Sequence, residues 1–128
     1  MIDKYTYRIF LTKTKEMCFV HSIHFGTRKV IVSSKCGNHS VPLKGNILME
    51  DTGIRDINNK RIYEGDILRL RIDDNKIINV YVKWDKQKYK LISKKHYHMP
   101  AVASLKDLTR SEVIGNIYED FILLEGGD

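Results

Sequence analysis

Between Ile62 and Ile72 the chain reads I-Y-E-G-D-I-L-R-L-R-I, two apolar runs parted by Glu64, Gly65 and Asp66. A strand that bends sharply needs a residue without a Cβ at the bend, and Gly65 supplies it. The carboxylates of Glu64 and Asp66 stand ready to accept hydrogen bonds from amides that the bend exposes. Beyond it, Leu68, Leu70 and Ile72 alternate with Ile67, Arg69 and Arg71, so the first set is expected to face a core. The polar residues 73–76 turn the chain, and Ile78, Val80, Val82 and Trp84 repeat the alternation on the way back. A bend followed by such an out-and-back ribbon is how many small SH3-like barrels begin. The two acids are therefore read as structural, because no third group is placed by spacing to complete a reactive set with them.

The rest of the chain carries the same two-residue period. Tyr5, Tyr7 and Ile9 alternate with Thr6, Arg8 and Phe10; apolar residues recur at Cys18, Phe19, Val20, Ile23 and Phe25; residues 29–33 form a β-branched run. Residues 12–16, 26–28, 51–53 and 56–60 read as turns and 35–40 as a loop. Residues 89–93 read as a further strand and 113–118 as a closing one, while 104–110 is the stretch expected to make a helical turn. The apolar residues 121–124 suit either a core strand or packing on a second copy. The expectation is a mainly β chain with a β-rich region over 1–50 and an SH3-like barrel over 51–128, with minor helix.

With 128 residues the chain can bury a core without disulfide or metal staples. No run of about 18 apolar residues is present, so no membrane span is expected. The polar, charged N-terminus does not read as a signal peptide, which points to the cytoplasm and to reduced cysteines.

Charge is distributed unevenly. The chain has 22 Lys and Arg against 16 Asp and Glu, a net charge of +6. Residues 112–128 hold five acids and no base, so the first 111 residues have 22 cations against 11 acids, net +11. That balance favours anionic partners. Arg69 and Arg71 share one strand face, and Lys83, Lys86, Lys88, Lys90, Lys94 and Lys95 follow with Trp84 and Tyr89 interleaved. Gathered on one barrel wall, they suit phosphate contacts and base stacking, or an acidic protein face. The plainer account is a solvated lysine surface with Trp84 in the core, in a Lys-, Ile- and Asn-rich chain of the kind that AT-rich coding produces.

Two Cys-x-x-His pairs, Cys18 with His21 and Cys36 with His39, have a spacing that zinc sites use. Against that, residues i and i+3 of a strand point to opposite faces, so a small buried cysteine and loop histidines are the simpler reading. His96 and His98 read as surface residues. Nucleophile–base triads, phosphate-cradling glycine loops and paired-carboxylate sites are missing as motifs, so neither catalysis nor a cofactor is expected.

Several segments resemble the YopX family of small phage and prophage proteins. They are Tyr7-Arg8-Ile9-Phe10 with Lys15-Glu16-Met17, Leu48-Met49 through Thr52-Gly53-Ile54-Arg55-Asp56, and Asn59-Lys60-Arg61-Ile62-Tyr63-Glu64-Gly65-Asp66-Ile67. Val82-Lys83-Trp84-Asp85 and Glu112-Val113-Ile114-Gly115-Asn116-Ile117-Tyr118-Glu119 complete the set, in the family's order. Residues 18–46 and 93–111 fall outside it. The resemblance implies a β-rich fold with an SH3-like barrel, possible oligomers and no established activity. The expected function is that of a phage- or prophage-encoded, non-catalytic binding module acting on a host or phage protein, for example as an inhibitor of host defence or replication machinery. The alternative is salt-dependent DNA or RNA binding through a basic barrel face.

Overall fold

The computed structural model describes residues 7–34, 37–73, 76–85, 88–93, 101–102 and 108–124. The chain divides into two compact units, Met1–Asp51 and Thr52–Asp128.

In the first unit, β1 (Tyr7–Leu11), β2 (Glu16–His24), β3 (Lys29–Ser34) and β4 (Gly37–Pro42) form an antiparallel meander. The first half of β5 (Ile47–Arg55) pairs with the other side of β1, giving the order β4-β3-β2-β1-β5. One face carries Ile9, Leu11, Cys18, Val20, Val30 and Val32, all buried, with Ile23, Val41, Leu43 and Leu48 packed against them. The inward positions of β2 step from Val20 to Ile23 because the register slips there: Val20 lies opposite Val32, but Ser22 lies opposite Ile31. The extra residue, His21, is a β-bulge that brings Ile23 back to the core side.

One expected loop and one expected turn are strand instead. Residues 37–40, read as loop, begin β4, which pairs residue for residue with β3 from Ser34–Gly37 to Lys29–Pro42. Gly-Asn-His-Ser has little intrinsic preference for extended structure, and its pairing with a β-branched partner decides the outcome. Residues 51–53, read as turn, lie inside β5. Gly53 has φ of 82°, a left-handed residue within the strand. The Thr52 hydroxyl holds it there by donating to the Ile62 carbonyl at 2.8 Å and accepting from the Ile54 amide at 3.2 Å.

The second unit contains β6 (Arg61–Tyr63), which lies beside β5, and a five-stranded antiparallel sheet. The sheet is built from β7 (Asp66–Asp73), β8 (Lys76–Asp85), β9 (Lys88–Ile92), β10 (Ala101–Val102) and β11 (Glu112–Asn116), in the order β10-β9-β8-β7-β11. Leu68, Val80, Val82 and Leu91 are buried on one face with Ile62 and Leu108, flanked by Leu70, Ile78 and Val113. Residues 74–75, between β7 and β8, 86–87, between β8 and β9, and 94–100 lie outside the described residues. Leu108 and Thr109 are helical, within the stretch expected to turn.

The chain is mainly β, as expected, but the described strands form two open sheets rather than a closed barrel. The outer side of β11 is taken by the loop 56–60: Val113 N–H donates to Asp56 Oδ2 at 2.9 Å, and Ile57 N–H donates to the Ser111 carbonyl at 2.9 Å. The apolar residues Phe121–Leu124 form a short 3-10 turn, not a strand. Leu124 is buried and Asn79 Nδ2 donates to the Leu123 carbonyl at 2.8 Å, so the turn lies over β8 on the face away from Leu68. Ile67, on that same face, is fully buried. No helix among the described residues is long and apolar enough to cross a membrane.

Gly115 tests the packing of this closing segment. A Cβ there would lie 2.6 Å from Asp120 Oδ2 and 2.9 Å from its Cβ and Cγ. Gly115→Ala is expected to lower stability by roughly 2 kcal/mol, as overpacking does. Gly26→Ala, where nothing lies within 4 Å, should leave the urea midpoint nearly unchanged.

Candidate functional site

The Glu64-Gly65-Asp66 bend is built as its residue types require. Gly65 has φ of 88°, a left-handed backbone that an L side chain adopts only under strain. Asp66, 1% exposed, accepts the Tyr63 amide through Oδ2 at 2.8 Å, and Glu64 Oε2 accepts the Trp84 amide at 3.3 Å. Gly65 itself joins two further segments: its N–H donates to the Val82 carbonyl at 2.8 Å, and its carbonyl accepts from Ile117 N–H at 2.9 Å.

Two further polar residues do comparable work, and the sequence reading assigned neither a role. Asp56 is buried, and its Oδ1 accepts the amides of Asn58 (2.9 Å) and Lys60 (2.8 Å) while Oδ2 holds Val113 of β11. Asn116 is buried; its Oδ1 accepts the amides of Tyr118 and Glu119, both at 3.0 Å, and its Nδ2 donates to Glu119 Oε1 at 2.9 Å. Side-chain oxygens folding back on amides two to four residues ahead are local turn chemistry. The carboxylates of Asp56, Glu64 and Asp66 all accept main-chain amides.

The basic residues separate into two groups. Arg69, Asn79, Tyr81, Lys83 and Lys90 share the face opposite Leu68, Val80 and Val82. Lys83 lies directly opposite Lys90, Lys83 exposed and Lys90 partly so. Arg69 lies opposite Asn79 on one side and Glu112 on the other, and its guanidinium is 3.8 Å from the Glu112 carboxylate. Four strand positions part Asn79 from Lys83, about 13 Å at about 3.3 Å per residue. The row between holds Ile67, Tyr81 and Ile92. Arg71, exposed, is farther away still, opposite Ile77. Trp84 alternates to the other face and is 45% exposed, not a core residue. Lys86, Lys94 and Lys95, and the side chains of Lys88 and Tyr89, lie outside the described residues.

The family model described as YopX protein matches residues 6–125. The chain belongs to the YopX family. No curated protein matches it. The crystal structure of protein EF1440 from Enterococcus faecalis aligns with a TM-score of 0.61 over 93% of this chain and 96% of that one, at 18% identity, a likeness of fold. In this YopX-family chain the signature segments of the second unit meet one another. Asp56 of the first reaches Val113 of the last, and Gly65 of the middle one bonds Ile117 of the last. These residues are the joints of the fold.

The cysteine–histidine pairs are placed differently. Cys18 lies in the core of the first unit beside Ile9, Val20 and Val32, whereas His21, in the bulge, and His39, on β4, are exposed. Cys36, His96 and His98 lie outside the described residues, among which no group of three or more His, Cys, Asp or Glu is gathered to hold a metal. Burial pushes the Cys18 thiol up, with a smaller push from the Glu16 carboxylate.

Two outcomes follow from these environments. Asp56→Ala removes three amide partners at once and should lower stability by roughly 3 kcal/mol, read from urea unfolding. Because Cys18 is buried in the first unit's core, where its pKa is pushed up, it should resist alkylation at pH 8 in the folded protein and react once urea unfolds it, followed site by site by peptide mass spectrometry.

Proposed function

We propose that this YopX-family chain is a phage- or prophage-encoded accessory protein that acts by binding, without catalysis, to an acidic face of a host or phage protein in the bacterial cytoplasm. The observation that carries this reading is the use made of the signature acids. Asp56, Glu64 and Asp66 accept main-chain amides that brace turns and strand ends. One face of the second unit presents the facing cations Lys83 and Lys90, with Arg69 and Arg71 at its far end. Charge of this kind speeds encounter with an acidic surface and sets its orientation. Components of host defence and of replication are the partner classes that suit a phage-borne accessory protein.

Nucleic acid is the second reading, favoured by Tyr81, which shares the face of the Lys83–Lys90 pair one row away. The exposed Trp84 supports it less, since it projects from the opposite face.

Affinity capture from nuclease-treated host lysate separates the two. The protein reading expects one specific protein to be recovered, and the double variant K83E/K90E to lower its yield by about tenfold. Recovery of nothing, or of the same protein undiminished by the variant, overturns that role for the lysine pair. Retention of nucleic acid before nuclease treatment, with affinity falling steeply between about 50 and 200 mM salt, would establish the second reading instead.

A further inference from the structure

Residues 17–49 contain no Asp or Glu, while they hold Arg28, Lys29, Lys35 and Lys44 and three of the five histidines, His21, His24 and His39. This acid-free stretch builds β2, β3 and β4 and enters β5. Its outermost strand is β4, which has β3 on one side and, among the described residues, no strand on the other. Gly37, Asn38, His39, Ser40 and Pro42 are exposed, and Val41 alone is drawn toward the core.

Edges of this kind are usually blunted by a charge, a bulge or a central proline, because a row of strand amides and carbonyls is a template for another chain. β4 has no charged residue, and its pairing with β3 runs through six consecutive positions without a slip. Its proline stands at the last position, where Asn46 Nδ2 donates to the Pro42 carbonyl at 2.8 Å. The cations cluster at that end: Lys29 lies opposite Pro42, Leu43 N–H donates to the Arg28 carbonyl at 3.0 Å, and Lys44 follows. Arg28, Lys29 and Lys44 are all exposed.

We propose that β4 receives an extended, acidic segment of a partner protein as an added strand. Main-chain hydrogen bonds along β4 supply the affinity, and carboxylates of the segment settle against Arg28, Lys29 and Lys44, which fixes its direction. A second copy of this chain is a poor occupant. Two-fold pairing of β4 with itself brings two acid-free surfaces together, with no carboxylate between residues 17 and 49 to offset their charge. The surface belongs to the first unit and is distinct from the Lys83–Lys90 pair.

The test uses the full chain, labelled with 15N, and three synthetic peptides of about eight residues, a common strand length. One alternates Val or Thr with Glu, one carries Lys in place of Glu, and one is the acidic peptide with a central Pro. The acidic peptide is expected to shift amide resonances over Gly37–Pro42, and K29E/K44E to weaken its binding by about tenfold. The Lys and Pro peptides should leave the spectrum unchanged. Shifts confined to Lys83 and Lys90, equal binding of the Pro peptide, or no shift with any peptide overturns the proposal. Lysate capture that survives K29E/K44E but not K83E/K90E removes this site and leaves the binding-module reading standing.

Discussion

Gly65 is the crossing point on which the second unit depends. One residue bonds in two directions, its amide N–H to the Val82 carbonyl on β8 and its carbonyl to the Ile117 amide just past β11. Both bonds require the left-handed turn of the backbone at this residue, and its neighbours Glu64 and Asp66 secure the amides of Trp84 and Tyr63 on either side. The register of β7 against β8 puts Leu68, Val80 and Val82 on one side of the ribbon. A burial-driven core tolerates many apolar replacements, but a left-handed residue whose amide and carbonyl bond two different segments admits little besides glycine.

How much of this was legible in the sequence depended on distance along the chain. The bend, the strands around it and the roles of Glu64 and Asp66 are local consequences of residue type, and they stand as read. The inward set on β7 and β8 follows from strict alternation. Asp56 was opaque because one of its partners, Val113, lies 57 residues away. Ile67 reads as a surface position beside two arginines but is fully buried, on the face that the C-terminal turn reaches through Asn79. β4 was opaque for the opposite reason: its residues carry no strand signal, and their partner in β3 imposes the extended form.

The candidate surface shows the same limit. A list of cations in sequence order suggested one wall, yet strand geometry sorts them. Odd-numbered Lys83 turns one way and Trp84 the other, and a hydrophobic row stands between the lysine pair and Arg69. Arg69 is half-neutralised by Glu112, an exposed pair that salt screens readily. Local charge therefore says less about where a partner sits than the register does.

The two units also differ in how far apart in sequence their partners lie. Strands β1, β2 and β3 each pair with the next, whereas the second sheet joins β7 to β11, and the loop at Asp56 needs residues 111–113. During synthesis the first unit's sheet is complete once β5 has reached Glu50, which pairs with Tyr7 of β1. The later sheet must wait, with Leu68, Val80 and Val82 already made, until its last strand is translated. That interval is when this polypeptide is most open to aggregation or to capture by a chaperone.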